Sequence, residues 1–254
     1  MYLFLTLGIL VAAVSAGRGV WSPCGLSMLS SITPMTEAGR GNRFSVTARW
    51  FLAGGIVGGL CLGAVAAGAA SLLALADLST TVRWGIGAAA AIVTAGIDLG
   101  AFGIELPIFK RQVNDAWLRT YRSRVYGAGF GWQIGFGVAT YIMTAGVFLT
   151  IALAILGASP LVAVAIGATF GLVRGSAVYI GRNATSPAAL NRVHERLDAL
   201  APASRRLALT VQLLAAVVLS GSAFGPAAGL VVGLASVGAL VVSGRSQPSR
   251  AATA

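Results

Sequence analysis

The stretch Ala16-Gly17-Arg18-Gly19-Val20-Trp21-Ser22-Pro23-Cys24-Gly25-Leu26 decides how this chain is read. It interrupts an apolar run long enough to cross a bilayer, yet it carries a charge, a proline, three glycines and a thiol. Proline removes a backbone donor and glycine loosens a helix, so a break in the first span is expected here. Freed backbone groups are tolerated at membrane depth only where protein or a water-filled cavity satisfies them. The break therefore marks a candidate working site. A kinked helix with a buried cysteine is the structural alternative.

The composition sets the class. Of 254 residues 57% are hydrophobic and only 10% charged, with a mean hydropathy of +0.85, which describes a polytopic helical membrane protein rather than a soluble globule. The formal charge of +11 does not call for nucleic acid, because the basic residues fall in short segments between apolar runs. Retention of Arg and Lys on the cytoplasmic side and attraction to anionic lipid account for them. The bilayer is the one partner that composition implies. The first sixteen residues have no Lys or Arg ahead of their apolar core and read as an uncleaved span.

At about 20 residues per crossing, seven spans are expected: 3–31, 50–76, 84–106, 127–156, 160–181, 206–223 and 226–243. Arg40, Arg43 and Arg49 lie in one loop, and Lys110, Arg111, Arg119, Arg122 and Arg124 in another. Arg182, Arg192, Arg196, Arg205 and Arg206 lie in a third, while Arg245 and Arg250 are in the tail. With seven spans all of these fall on one side, the cytoplasm, leaving the N-terminus outside and the C-terminus inside. Val113, Trp117, Tyr121 and Val125 recur every four residues, and Ser186-Pro187 precedes Leu190, Val193, Leu197 and Leu200. Both patterns suit helices lying on the membrane surface.

Ala16-Gly17-Arg18-Gly19 followed by Trp21 is echoed by Ala128-Gly129-Phe130-Gly131-Trp132, three spans later in another overlong span. A three-span unit repeated once must be inverted in the membrane. The expected fold is all-α, a single membrane domain over 1–254 with broken helices 1 and 4. Repeat one covers 1–106 and repeat two 127–223, with an extra helix over 226–243 and a disordered tail over 244–254.

Cys24 is the main candidate for chemistry, since Arg18 and a helix start after Pro23 would favour its thiolate. Cys61, in Gly58-Gly59-Leu60-Cys61-Leu62-Gly63, has no comparable setting. Their depths differ by roughly 8 Å at about 1.5 Å per residue, too far for a disulfide between regular helices. The intramembrane charges are Arg18, Asp98, Glu105 and Arg174, and such groups face the protein interior or a wet path. Asp98 and Glu105, seven residues apart, are expected on one helix face, with Asp98 paired to Arg18 or Arg174. Trp21, Pro23, Trp132 and Gln133 support the two breaks. Lys110 is the only lysine and His194 the only histidine, and both lie in loops. A retinal Schiff base, bis-histidine haem and histidine-rich metal sites are therefore excluded, and no cofactor is expected.

Trp21-Ser22-Pro23-Cys24-Gly25-Leu26 resembles the first-span Ser-Pro-Cys motif of the CcdA/DsbD transmembrane family, the thiol–disulfide electron carriers of cytochrome c maturation. Trp50-Phe51-Leu52-Ala53-Gly54-Gly55 is similar to the opening of that family's second span, and Gly96 to Pro107 to the end of its third. The likeness covers about the first 145 residues. It implies a thiol–disulfide oxidoreductase that passes reducing equivalents from a cytoplasmic thioredoxin to an extracytoplasmic thioredoxin-like protein through Cys24. The family's second cysteine has no counterpart in Trp132-Gln133-Ile134-Gly135-Phe136, and an internal disulfide store needs two thiols. Two other readings stand beside it: a small-solute transporter on the same scaffold, with Arg18, Asp98 and Arg174 on its path, and a non-catalytic subunit packed through glycine-rich faces.

Overall fold

The computed structural model describes residues 2–101, 103, 106 and 116–245. They form an all-α, polytopic membrane protein. The helices are α1 (Tyr2–Arg18), α2 (Pro23–Ser31), α3 (Pro34–Gly39), α4 (Phe44–Leu75) and α5 (Thr80–Leu99). After them come α6 (Trp117–Thr120), α7 (Ser123–Phe136), α8 (Gly146–Leu156), α9 (Pro160–Ser176), α10 (Pro187–Phe224) and α11 (Pro226–Arg245). Five stretches are long and apolar enough to cross a membrane: Tyr2–Trp21, Phe44–Leu75, Thr80–Leu99, Pro160–Asn183 and Pro187–Phe224. Gly146–Leu156 and Pro226–Leu240 are shorter apolar helices.

The first span is interrupted where the sequence indicated. A 3-10 turn over Gly19–Trp21 separates α1 from α2. The fourth expected span is also broken, into α7 and α8, with irregular backbone over 137–145. That second break falls after the Ala128–Trp132 echo, which lies inside continuous α7. The two glycine motifs therefore do not occupy equivalent structural positions.

Glycines set the centre of the packing. A four-residue spacing returns to the same face of a helix, and small residues there let backbones touch. On α4, Gly54 and Gly58 face α7, while Gly55, Gly59 and Gly63 face α9. Gly131 and Gly135 of α7 and Gly167 and Gly171 of α9 answer them, so that a Cβ at any of these would overlap opposing backbone. The glycine-rich faces are thus consumed within the chain, with α4 held between α7 and α9. Apolar clusters flank this seam. One joins Phe4, Leu149, Leu153, Ala215 and Leu219, and another joins Leu29, Phe51, Phe130 and Val178.

Three boundaries differ from the sequence reading. The expected surface helix after Ser186 does begin there, with the Ser186 side chain accepting from Ala189 N–H at 3.2 Å, but it runs on as α10 to Phe224. Pro202 lies inside it. Two donors from the first-span break reach the carbonyls near that proline: Trp21 Nε1 donates to Leu197 O at 2.7 Å and an Arg18 guanidinium nitrogen to Ala201 O at 3.5 Å. Between Trp117 and Val125 the expected helix is interrupted at Tyr121, whose backbone is extended with φ −112° and ψ 158°; Val113 lies outside the described residues. The third span stops at Leu99. Gly100 adopts φ +81° there, and the N–H groups of Gly100 and Ala101 return to Ile97 and Gly96 at 2.9 Å each. Glycine is the residue that such a left-handed helix end favours.

Candidate functional site

Two polar centres lie near the breaks. The first is the restart of the first span. Ser22 is fully buried; its hydroxyl accepts from Gly25 N–H at 3.0 Å and donates to Gly19 O at 2.7 Å. It is the N-cap of α2, Pro23 is at the first helical position, and Cys24 follows in the first turn. Serine at the cap and proline behind it are the residues that helix starts prefer. A Cβ at Gly25 would collide with the Val20 carbonyl, so the tight restart also needs glycine at that point. Ser22, Pro23 and Gly25 thus each have a role in restarting the helix that does not involve the thiol.

Cys24 is only 4% exposed, and Arg174 of α9, 3% exposed, lies close enough to act on it electrostatically. The Arg174 guanidinium sits against Gly19, in the space a side chain would need. Among the described residues no carboxylate lies within ion-pair distance of Arg174, the recorded pair being Arg40 with Glu37. Cys61 is half-buried on α4 and is not bonded to Cys24.

The second centre surrounds Asp98. Its carboxylate accepts from the Thr144 hydroxyl, from Ala145 N–H at 2.7 Å and from Gln212 Nε2 at 2.7 Å. Ala145 is the N-cap of α8, so an acid from α5 seals the positive end of the half-helix after the fourth-span break. Arg205 of α10 in turn donates to Asp98 O at 3.1 Å, at the carbonyl end of α5. The expected ion pair of Asp98 with Arg18 or Arg174 is replaced by these hydrogen bonds. Arg18 remains within electrostatic range of both Asp98 and Arg205, and stacks its guanidinium 5.7 Å from the Trp21 ring centre. It thereby links the two breaks. Gln212 is buried and its Oε1 has no partner among the described residues.

The remaining candidates are placed less centrally. Glu105 lies outside the described residues. Trp132 is 40% exposed and stacks on Phe136 at 5.6 Å, on the outer face of α7. Gln133 beside it is half-buried.

Sequence reasoning missed Glu37. This carboxylate in α3 is fully buried and accepts from Tyr126 Oη at 2.6 and 2.7 Å, from Thr47 Oγ1 at 2.5 Å and from Arg40 at 2.8 Å. Burial, followed by the hydrogen bond to Glu37 and its charge, pushes the Tyr126 phenol up to about 12. Its one visible signal was a lone acid in a loop otherwise rich in arginine.

The fold and these centres define a polytopic helical membrane protein with polar groups gathered at two helix interruptions. Its similar proteins carry one name. Methylamine utilization protein MauF of Methylophilus methylotrophus is 30% identical over 178 residues, covering 66% of this chain and 59% of the relative. MauF of Paracoccus versutus is 28% identical over 176 residues, 67% of this chain and 62% of the relative. The chain thus spans about three fifths of the length of these curated relatives. No protein-family model matches it, and no solved structure does.

These relatives correct the resemblance drawn above. They are named for methylamine utilization and not for cytochrome c biogenesis, which overturns the CcdA/DsbD assignment and the thiol–disulfide carrier reading with it. The thioredoxin partners came from that assignment and have no other support. The transporter and complex-subunit readings gain nothing from the comparisons. Ser22 and Pro23 serve here as the cap and first residue of a helix start, a local role that does not depend on redox chemistry at Cys24.

Proposed function

We propose that this chain is an integral membrane protein serving methylamine utilization, and that its working centre is the polar junction linking the two helix breaks. The similarity to the MauF proteins carries the first part of this reading. The second rests on Asp98 being bonded to Gln212 and lying within electrostatic range of Arg18 at one break, and on Arg174 packing against Gly19 at the other. Ionisable groups inside membrane spans are costly to bury and mark functional positions by default. The arginine-rich connections belong on the cytoplasmic face, which leaves the N-terminus outside. The paired breaks support an inverted repeat of about 1–106 and 127–223.

Strains carrying Asp98→Asn or Arg18→Gln test the junction. With the variants present in the membrane at wild-type abundance, growth on methylamine as sole nitrogen source is expected to fall while growth on ammonium is unchanged. Normal growth of both abundant variants on methylamine overturns the assignment of this site.

A further inference from the structure

A second polar region lies away from the junction. Between α3 and the start of α7 there is a cavity of about 820 Å³, lined by Arg40, Asn42, Arg119, Arg122, Ser123 and Arg124 among others. Arg40 is held in place by Glu37 and by Ser31 O, each at 2.8 Å, so its charge is neutralised locally. Arg119, Arg122 and Arg124 have no acidic partner within ion-pair distance among the described residues. The three are exposed and fall within six positions, which concentrates positive charge on this face and suits an anionic ligand.

The backbone adds to the demand. Arg122 is the N-cap of the fourteen-residue α7 and supplies no side-chain cap. Its carbonyl takes the N–H groups of Val125 and Tyr126, while Ser123 and Arg124, which line the cavity, are in the first turn, where N–H groups have no partner within the helix. Helix N-termini and arginine forks share one preferred ligand, a multi-oxygen anion such as phosphate.

We propose that this cavity binds a phosphate-bearing ligand, with an anionic phospholipid headgroup as the source its surroundings favour. Leu118 and Tyr121 line its edge. Val125, 50% exposed, follows Arg124 directly on α7, and Trp50 of α4, 45% exposed, packs against Gly127 one turn further along α7. Charged groups with an aromatic and aliphatic collar are how a protein meets the headgroup layer. The site does not depend on the role in methylamine utilization.

The 254-residue chain, purified in detergent, is treated with phenylglyoxal, and the modification of each arginine is read by peptide mass spectrometry. One arm adds phosphatidylglycerol with phosphatidylcholine as control. The other adds inorganic phosphate with chloride at equal ionic strength as control. The expected result is at least fivefold protection of Arg119, Arg122 and Arg124, with Arg43 and Arg192 unchanged. Protection by phosphatidylglycerol alone assigns the headgroup, and protection by phosphate as well assigns the phosphate group as sufficient. Unchanged modification in both arms, or uniform protection of all arginines, overturns the site. The variant R119Q/R122Q/R124Q should lose the phosphatidylglycerol-induced rise in Tm. If it does not accumulate folded, the footprint of the wild-type chain decides.

Discussion

Asp98, in the last turn of α5, accepts the backbone N–H of Ala145 at 2.7 Å, so the carboxylate of one span closes the end of a half-helix in another. Removing it leaves that N–H, the Thr144 hydroxyl and the Gln212 amide without their shared acceptor. Hydrogen bonds to a charged group are worth about 1.5–3 kcal/mol each, and part of the loss is recovered by relaxation. Asp98→Ala is therefore expected to lower stability by about 2–4 kcal/mol in a reversible detergent unfolding titration. Asp98→Asn keeps an acceptor oxygen and should lose less.

The glycine seam yields a contrast within one chain. A Cβ on Gly59 would overlap the Gly167 carbonyl, and one on Gly171 the Gly55 carbonyl, both backbone atoms that cannot turn aside. Gly59→Ala and Gly171→Ala should each cost about 1–3 kcal/mol through overpacking. Gly68→Ala meets nothing within 4 Å and should leave the thermal midpoint unchanged or slightly raised.

Ser22→Ala tests whether the Ser-Pro-Cys motif acts as a helix start. Loss of a serine cap costs about 1 kcal/mol, and the buried Gly25 N–H left behind pushes the value toward the upper end of the 0.5–2 kcal/mol range. Amide hydrogen exchange over residues 23–31 should accelerate in this variant, with α4 unaffected.

Tyr126 sets a pH dependence. Its phenol is raised from 10.0 to about 12 in the folded chain by burial first and then by the Glu37 hydrogen bond and charge. A folded value above the unfolded one means that the protonated phenol favours folding. This contribution is complete below pH 10 and is lost as pH rises through about 12. Tyrosinate absorbance of the wild type minus Tyr126→Phe should give a single step centred near 12. A step near 10 would mean that the phenol is not sheltered by Glu37.

What could be read in advance followed the range of the interaction. The first break was legible because its cause is local: Ser22 and Pro23 act on their own helix turn. The continuity of α10 through Pro202 was not, because Trp21 and Arg18, more than 170 positions away, supply the nearby donors. Glu37 drew no reading from the sequence, since its partner Tyr126 is 89 positions distant. The four-residue glycine spacing was visible, but pattern alone could not say whether it served a partner or the chain itself. Asp98 was recognised as a polar group in need of company, and an arginine was the obvious choice by charge. The structure answers it with a helix end, whose partial charge leaves no mark in the sequence.

The most direct test of the functional reading is deletion of the gene in its native host, followed by growth with methylamine as the only nitrogen source. Growth is predicted to fail on methylamine, to proceed normally on ammonium, and to return when the chain is supplied in trans. Equal growth of the deleted and parental strains on methylamine would contradict a role in methylamine utilization.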